Sequence, residues 1–130
     1  MTLGDYLATA TSREWAWGRD DCCTFLAGWV MARGHSDPMH FIRGRYRSEF
    51  GALRSIKQGG GLVPLWRRGM ADVGIPEADE PQAGDVAVLA IPTEAGPHEA
   101  CGIFSGARWV LRTSGGFFAS PARPLALWRP

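Results

Sequence analysis

The sequence predicts an α+β fold with helices first and an antiparallel sheet afterwards, and two observations carry this. Up to about residue 76, apolar residues recur at helical spacing behind residues that cap helices. From residue 82 onward, short apolar runs alternate with Gly, Ser and Pro turns at hairpin-like spacing. Helical and strand signals are segregated along the chain rather than alternating, which is the α+β layout. With 130 residues and an apolar share of 45%, the chain makes one domain over 1–130, helical to about 76 and sheet-forming from about 82.

Thr2 caps a first helix that runs to about residue 9, with Leu3, Tyr6 and Leu7 on one face. A second helix starts behind Asp20 or Asp21, either of which can cap it. From residue 22 to 31 its one clearly polar side chain is Thr24, so the helix is apolar all round and belongs in the interior. Gly34 and Asp37-Pro38 stop it. A loop through Gly44 leads to a third helix at about 48–58, whose buried stripe is expected to be Phe50, Leu53 and Ile56. Gly59-Gly60-Gly61 breaks the chain, and a fourth helix offers Leu62, Leu65, Trp66, Met70 and Val73 to the core. Pro64 sits in its first turn, where proline costs least, and Gly74 and Pro76 end it. Residues 77–81 read as an acidic surface turn. About five strands follow, at 85–91, 101–104, 108–112, 117–119 and 125–129.

A formal net charge of +1 leaves the whole chain without an electrostatic footprint for nucleic acid or an anionic membrane. No stretch approaches the ~18 to 20 continuous apolar residues of a membrane span. The N-terminus has neither a basic leader nor an apolar signal core, so the expectation is a protein made and kept soluble inside a cell, or delivered by another route. Three cysteines, two of them adjacent, give no disulfide framework and fit a reducing compartment. Thirteen arginines stand against Lys57 alone, which fits a GC-rich genome. Arg43, Arg45, Arg47, Arg54 and Lys57 cluster with Glu49 as their one offset, either as a solvated helix face or as a patch for phosphate or an acidic partner.

Chemistry concentrates in Asp21-Cys22-Cys23-Thr24-Phe25, which sets a thiol at a helix start. Unpaired N–H groups of the first turn and the positive end of the helix dipole favour a thiolate there, so Cys22 is a candidate nucleophile. The alternative is a small buried hydrophobe, the commonest role of free cysteine. Cys23 and Cys101 read as packing residues. Asp20 and Asp21 read first as caps, and a carboxylate beside Cys22 opposes its ionisation. Cys22, Cys23, His35, His40, His98 and Cys101 are zinc-ligand types without zinc-ligand spacing, so neither metal nor cofactor is implied. Trp15 and Trp17 either pack on the helix or line a groove for sugar or peptide.

Three motifs resemble the NlpC-like family of papain-type cysteine peptidases, most of which cleave peptide links of bacterial peptidoglycan. Asp21-Cys22-Cys23-Thr24-Phe25 is similar to the family's Asp-Cys-Ser-Gly start of the central helix. Pro81-Gln82-Ala83-Gly84-Asp85-Val86 resembles its Pro-x-x-Gly-Asp approach to the first strand, and Cys101-Gly102-Ile103-Phe104 its Val-Gly-Ile-Tyr second strand. The resemblance implies a papain-like fold, with Cys22 in the nucleophile's position and Asp21 as the cap beside it.

The family places a histidine just before the second-strand motif and a polar orienting residue on the next strand. Here those positions are Ala100 and Arg112. Alanine accepts no proton, and a guanidinium only donates hydrogen bonds. His98 falls on the same side of the strand as Ala100 but about 6.6 Å further along, so it becomes a displaced base only if a bulge or a register change at 97–99 brings it back.

A short NlpC-like chain of this kind is similar to small proteins of phage tails and gene transfer agents. The resemblance implies a tail-tip protein with a degenerate or rearranged active site, acting in assembly or in holding a wall peptide; Trp17 and Arg112 are the binding candidates. Its partners would be other tail proteins or peptidoglycan peptide. An active peptidoglycan hydrolase built on Cys22 and His98 is the alternative, and a bacterial protein binding a partner through its basic 43–57 face is a second.

Overall fold

Thr2 opens α1 (Leu3–Thr11) with a capping box, its hydroxyl accepting from the Asp5 N–H at 3.1 Å while Asp5 accepts from the Thr2 N–H. Asp21 opens α2 (Cys22–Ala32), Ser48 opens α3 (Glu49–Gln58), and α4 (Leu62–Asp72) starts at Gly61 without a side-chain cap. A Schellman motif ends α2: Gly34, at φ +96°, donates to the Met31 carbonyl and the His35 N–H reaches that of Val30. These elements come from a computed structural model that describes residues 1–130.

The strands are β1 (Glu77–Ala78), β2 (Val86–Ile91), β3 (His98–Phe104), β4 (Trp109–Thr113), β5 (Gly116–Ser120) and β6 (Arg123–Trp128). They form one antiparallel sheet in the order β1-β6-β2-β3-β4-β5. Alternation gives the sheet two apolar faces. Val86, Val88, Cys101, Ile103, Ala126 and Trp128 pack with the helices, while Ala87, Leu89, Trp109, Leu111 and Leu127 form a second, smaller cluster. Central α2 lies against β3 and β4, and α4 against β2 and β6.

The α+β class and the helix-then-sheet order are as expected, but two elements differ. Residues 77 and 78 are a sixth strand rather than part of a surface turn, because β6 would otherwise leave Leu127 and Trp128 at an open edge. In α3 the expected stripe is turned outward: Phe50 is 74% and Leu53 57% exposed, while Gly51 and Ala52 are buried and Ile56 half-buried. The small residues decide this. A Cβ on Gly51 would lie 3.1 Å from the Tyr46 Cβ, so the helix settles on Tyr46 through a face that larger side chains would hold away.

The Gly84-Asp85 motif is structural. Asp85 is fully buried, accepts from the Gln82 N–H at 2.8 Å, and takes two bonds from Arg129 at 3.0 and 2.9 Å. The Gly84 carbonyl accepts the Trp29 indole N–H at 2.7 Å. This corner therefore anchors the C-terminal half of α2 to the start of β2.

Candidate functional site

The start of α2 is built around Asp21, which is 1% exposed. Its carboxylate accepts from the Thr24 N–H at 2.9 Å, the Gly18 N–H at 2.8 Å and the Tyr46 hydroxyl at 2.7 Å. The Thr24 hydroxyl returns the favour by accepting the Asp21 N–H at 2.8 Å, completing a capping box. Gly18 sits at φ +83°, and a Cβ there would come within 2.2 Å of the Tyr46 carbonyl oxygen. Of the two expected caps, Asp21 is the one used, and Asp20 instead pairs with Arg13 at 3.7 Å.

With that geometry fixed, Cys22 is the first residue of α2 and half-buried, while Cys23 and Cys101 are buried behind it with their sulfurs 3.9 Å apart. The three thiols act on one another. Hydrogen bonding from Cys101 first and Cys23 second pushes the Cys22 thiol down to about 4, against burial and the Asp21 charge. Cys23 and Cys101 move the opposite way, well above the ordinary thiol range, because deprotonating either would remove a donor from Cys22 and bury a second charge. Tyr46 is raised as well, by burial and then by the charges of Cys23 and Asp21.

Cys22 opens onto a pocket of about 600 Å³ that Cys23 and Cys101 also line. Its walls come from Trp15 and Trp17 before α2, from Leu53 and Ile56 of α3, and from Leu62 and Leu65 of α4. Residues 98–101 of β3 and 111–114 around the end of β4 complete it. Those two segments can face a pocket because the β3–β4 ladder holds just two pairs, Ile103 with Val110 and Phe104 with Trp109. Beyond them the strands are no longer paired with each other, whereas β3 stays paired with β2 as far as His98.

His98 and Cys22 share this pocket. The bulge that would carry His98 back is absent: β3 runs in unbroken register with β2 from Ile103 to His98, and the irregularity of the sheet lies between β2 and β6, at Val88 and Leu89. By alternation His98 keeps the side of Ala100, away from Cys101 and α2. The groups that chiefly set the ionisation of Cys22 are Cys101, Cys23 and Asp21.

Arg112 lines the pocket, yet its guanidinium is directed to the end of α1, where it donates to the Ala10 carbonyl at 3.3 Å and the Arg13 carbonyl at 2.6 Å. It also lies 4.0 Å from Asp20 and stacks over Phe117. It is therefore a tie between β4 and α1 rather than a free ligand group. Trp17 does face the pocket, edge-on to Trp15 with ring centroids 5.0 Å apart.

Three participants escaped the sequence reading. Cys101, read as core, meets Cys23 at 3.9 Å and lines the pocket with Cys22. Glu99 shares its side of β3 with Cys101, which period-two alternation could have shown. Tyr46, which holds Asp21, had no sequence signal. No set of three His, Cys, Asp or Glu side chains converges so as to hold a metal ion. No helix is long and apolar enough to cross a membrane.

Comparison with curated proteins and with solved structures finds no match. A family model matches residues 1–129, almost the whole chain, and its description is a domain of unknown function. The chain belongs to that family, DUF6950.

Proposed function

We propose that this domain is an NlpC-like, papain-type relative whose Cys22 pocket holds an extended peptide of the bacterial wall without hydrolysing it, as part of a phage-tail or prophage-type tip. The observation that carries the reading is the early end of the β3–β4 ladder, which leaves two strand edges free to wall a pocket that Cys22 also lines. A peptide in extended form binds to strand edges through its own backbone groups, with alternate side chains in flanking pockets. Trp15, Trp17, Leu53 and Ile56 give those side chains apolar walls. Cleavage of an amide needs a proton donor for the leaving nitrogen. Ala100 and the committed Arg112 supply none, and His98 stands on the other side of β3.

The test is calorimetric titration of a soluble peptidoglycan stem peptide, together with digestion of purified wall. Binding that weakens about tenfold in Trp17→Ala, with no wall fragments released, is the expected outcome. Absence of measurable binding at millimolar peptide overturns it. A tail-tip role further requires the chain to be recovered bound to other tail proteins from assembled particles.

A second reading, an active cysteine peptidase, is favoured by the ready ionisation of Cys22 and by the presence of His98 in its pocket. The Cys22 thiolate would attack a peptide carbonyl, N–H groups at the start of α2 would bind the oxyanion, and His98 would deliver the proton to the departing amine. Fragment release lost in both Cys22→Ala and His98→Ala selects this reading over the first.

A further inference from the structure

Holding a peptide gives no task to the two thiols behind Cys22. Cys23 and Cys101 come from different elements, α2 and β3, and their sulfurs lie 3.9 Å apart. Joining them requires the sulfurs to close by about 2 Å, to the 2.03–2.05 Å of a disulfide. Neither is open to solvent, at 6% and 1% exposure. Cys22 is the thiol of the three with access, and the pocket that reaches it also touches the other two.

We propose that Cys22, Cys23 and Cys101 form a disulfide relay, in which Cys22 accepts a low-molecular-weight disulfide in the pocket and passes the oxidation inward to a Cys23–Cys101 bond. The steps balance. The Cys22 thiolate attacks one sulfur of the incoming disulfide, forming a mixed disulfide and expelling the first thiolate. Cys101, giving up its proton, attacks the Cys22 sulfur and expels the second thiolate, leaving Cys22 joined to Cys101. Cys23, giving up its proton, attacks Cys101 and releases Cys22 as a thiolate again. In sum, two protein thiols are oxidised, one external disulfide is reduced, and the two protons go to the two departing thiolates.

Thiol chemistry favours this order. The thiolate is the attacking species, and Cys22 is the one of the three thiols that is both lowered and half-buried rather than buried, so it meets the external disulfide first. Adjacent residues are poorly placed to bridge each other, which directs the second step to Cys101 rather than Cys23. The final bond ties the first turn of α2 to β3 beneath the pocket.

The relay is independent of the peptide reading, since its readout is a mass measured with no peptide present. Reduced protein is incubated with oxidised glutathione, quenched with acid, and mapped without reduction. The wild type is expected to lose two hydrogens and yield a linked pair of peptides in which fragmentation places the bond on Cys23 and Cys101 and Cys22 remains free to alkylate. In Cys22→Ala that link forms at least about tenfold more slowly. In Cys101→Ala the reaction stops at glutathione bound to Cys22, and circular dichroism establishes that the variant is folded; Cys101→Val replaces it if it is not. Formation of the link at the wild-type rate in Cys22→Ala overturns the proposal. So does a lasting glutathione adduct on wild-type Cys22 with Cys23 and Cys101 still free to alkylate after denaturation.

Discussion

At Cys22 a charge is held by neutral donors, the thiols of Cys101 and Cys23, while burial and the Asp21 carboxylate oppose it. The consequence for stability has a definite sign. Cys22 stays ionised in the folded chain down to about pH 4, whereas an unfolded cysteine binds its proton until its ordinary value near 8.5. Across that interval the unfolded state holds more protons, so stability rises with pH. It is complete above the unfolded value and lost as pH falls through the folded one. Above about pH 8.5 the sign reverses, because Cys23 and Cys101 keep their protons in the fold and lose them on unfolding. Urea melts at pH 5 to 8 should therefore show the gap between wild type and Cys22→Ala growing with pH, and a constant gap would contradict it. Replacing Cys101 by Ala removes the first of the donors, and pH-dependent alkylation should then report a higher Cys22 value. Nearby, Tyr46→Phe withdraws a hydroxyl from the buried Asp21 carboxylate, a loss of about 1.5 to 3 kcal/mol for a bond to a charged group.

Helix α2 shows which element features were legible in the sequence. Its cap, its apolar surface and its end at Gly34 all follow from local rules, because capping residues and breakers act on neighbours within a few positions. Gly18 does not: its need for φ +83° is local, but the Tyr46 carbonyl that forbids a side chain arrives from a distant loop. Gly18→Ala should accordingly loosen the whole capping cluster, lowering the urea midpoint and slowing or scattering the reaction of Cys22 with iodoacetamide. The orientation of α3 was illegible for the same reason. Phe50, Leu53 and Ile56 have helical spacing, yet the face that packs is set by how closely Tyr46 approaches Gly51. Removing the exposed ring in Phe50→Ala should change stability by no more than about 0.5 kcal/mol, whereas Ala52→Leu crowds the packed face and should cost about 1 to 3 kcal/mol. Strand β1 was missed because two residues carry no period, and its existence depends on the edge of β6.

Across the whole molecule, the helix-then-sheet order was written in the chain's segregated signals, while the site was only half written. Position and cap of Cys22 were local matters; the splay of β3 from β4, which makes the pocket, depends on where two strands stop pairing. Arg112 lies on that splayed part of β4, and its position in the sequence suggested a ligand contact or a failed orienting group. Its actual bonds hold the outer strands to the N-terminal helix, reaching the Ala10 carbonyl in the last turn of α1 and the Arg13 carbonyl just beyond it. The two roles predict opposite results. If Arg112 is a tie, Arg112→Met keeps the apolar stem over Phe117 but forfeits bonds from a charged donor, lowering stability by about 1.5 to 3 kcal/mol in urea melts. In the fraction still folded, the alkylation rate of Cys22 and the affinity for stem peptide should then stay within about twofold of wild type, since its guanidinium is bonded to the Ala10 and Arg13 carbonyls. A variant of unchanged stability that has lost peptide affinity would return Arg112 to the binding surface and remove the link between β4 and α1 as the reason for its burial.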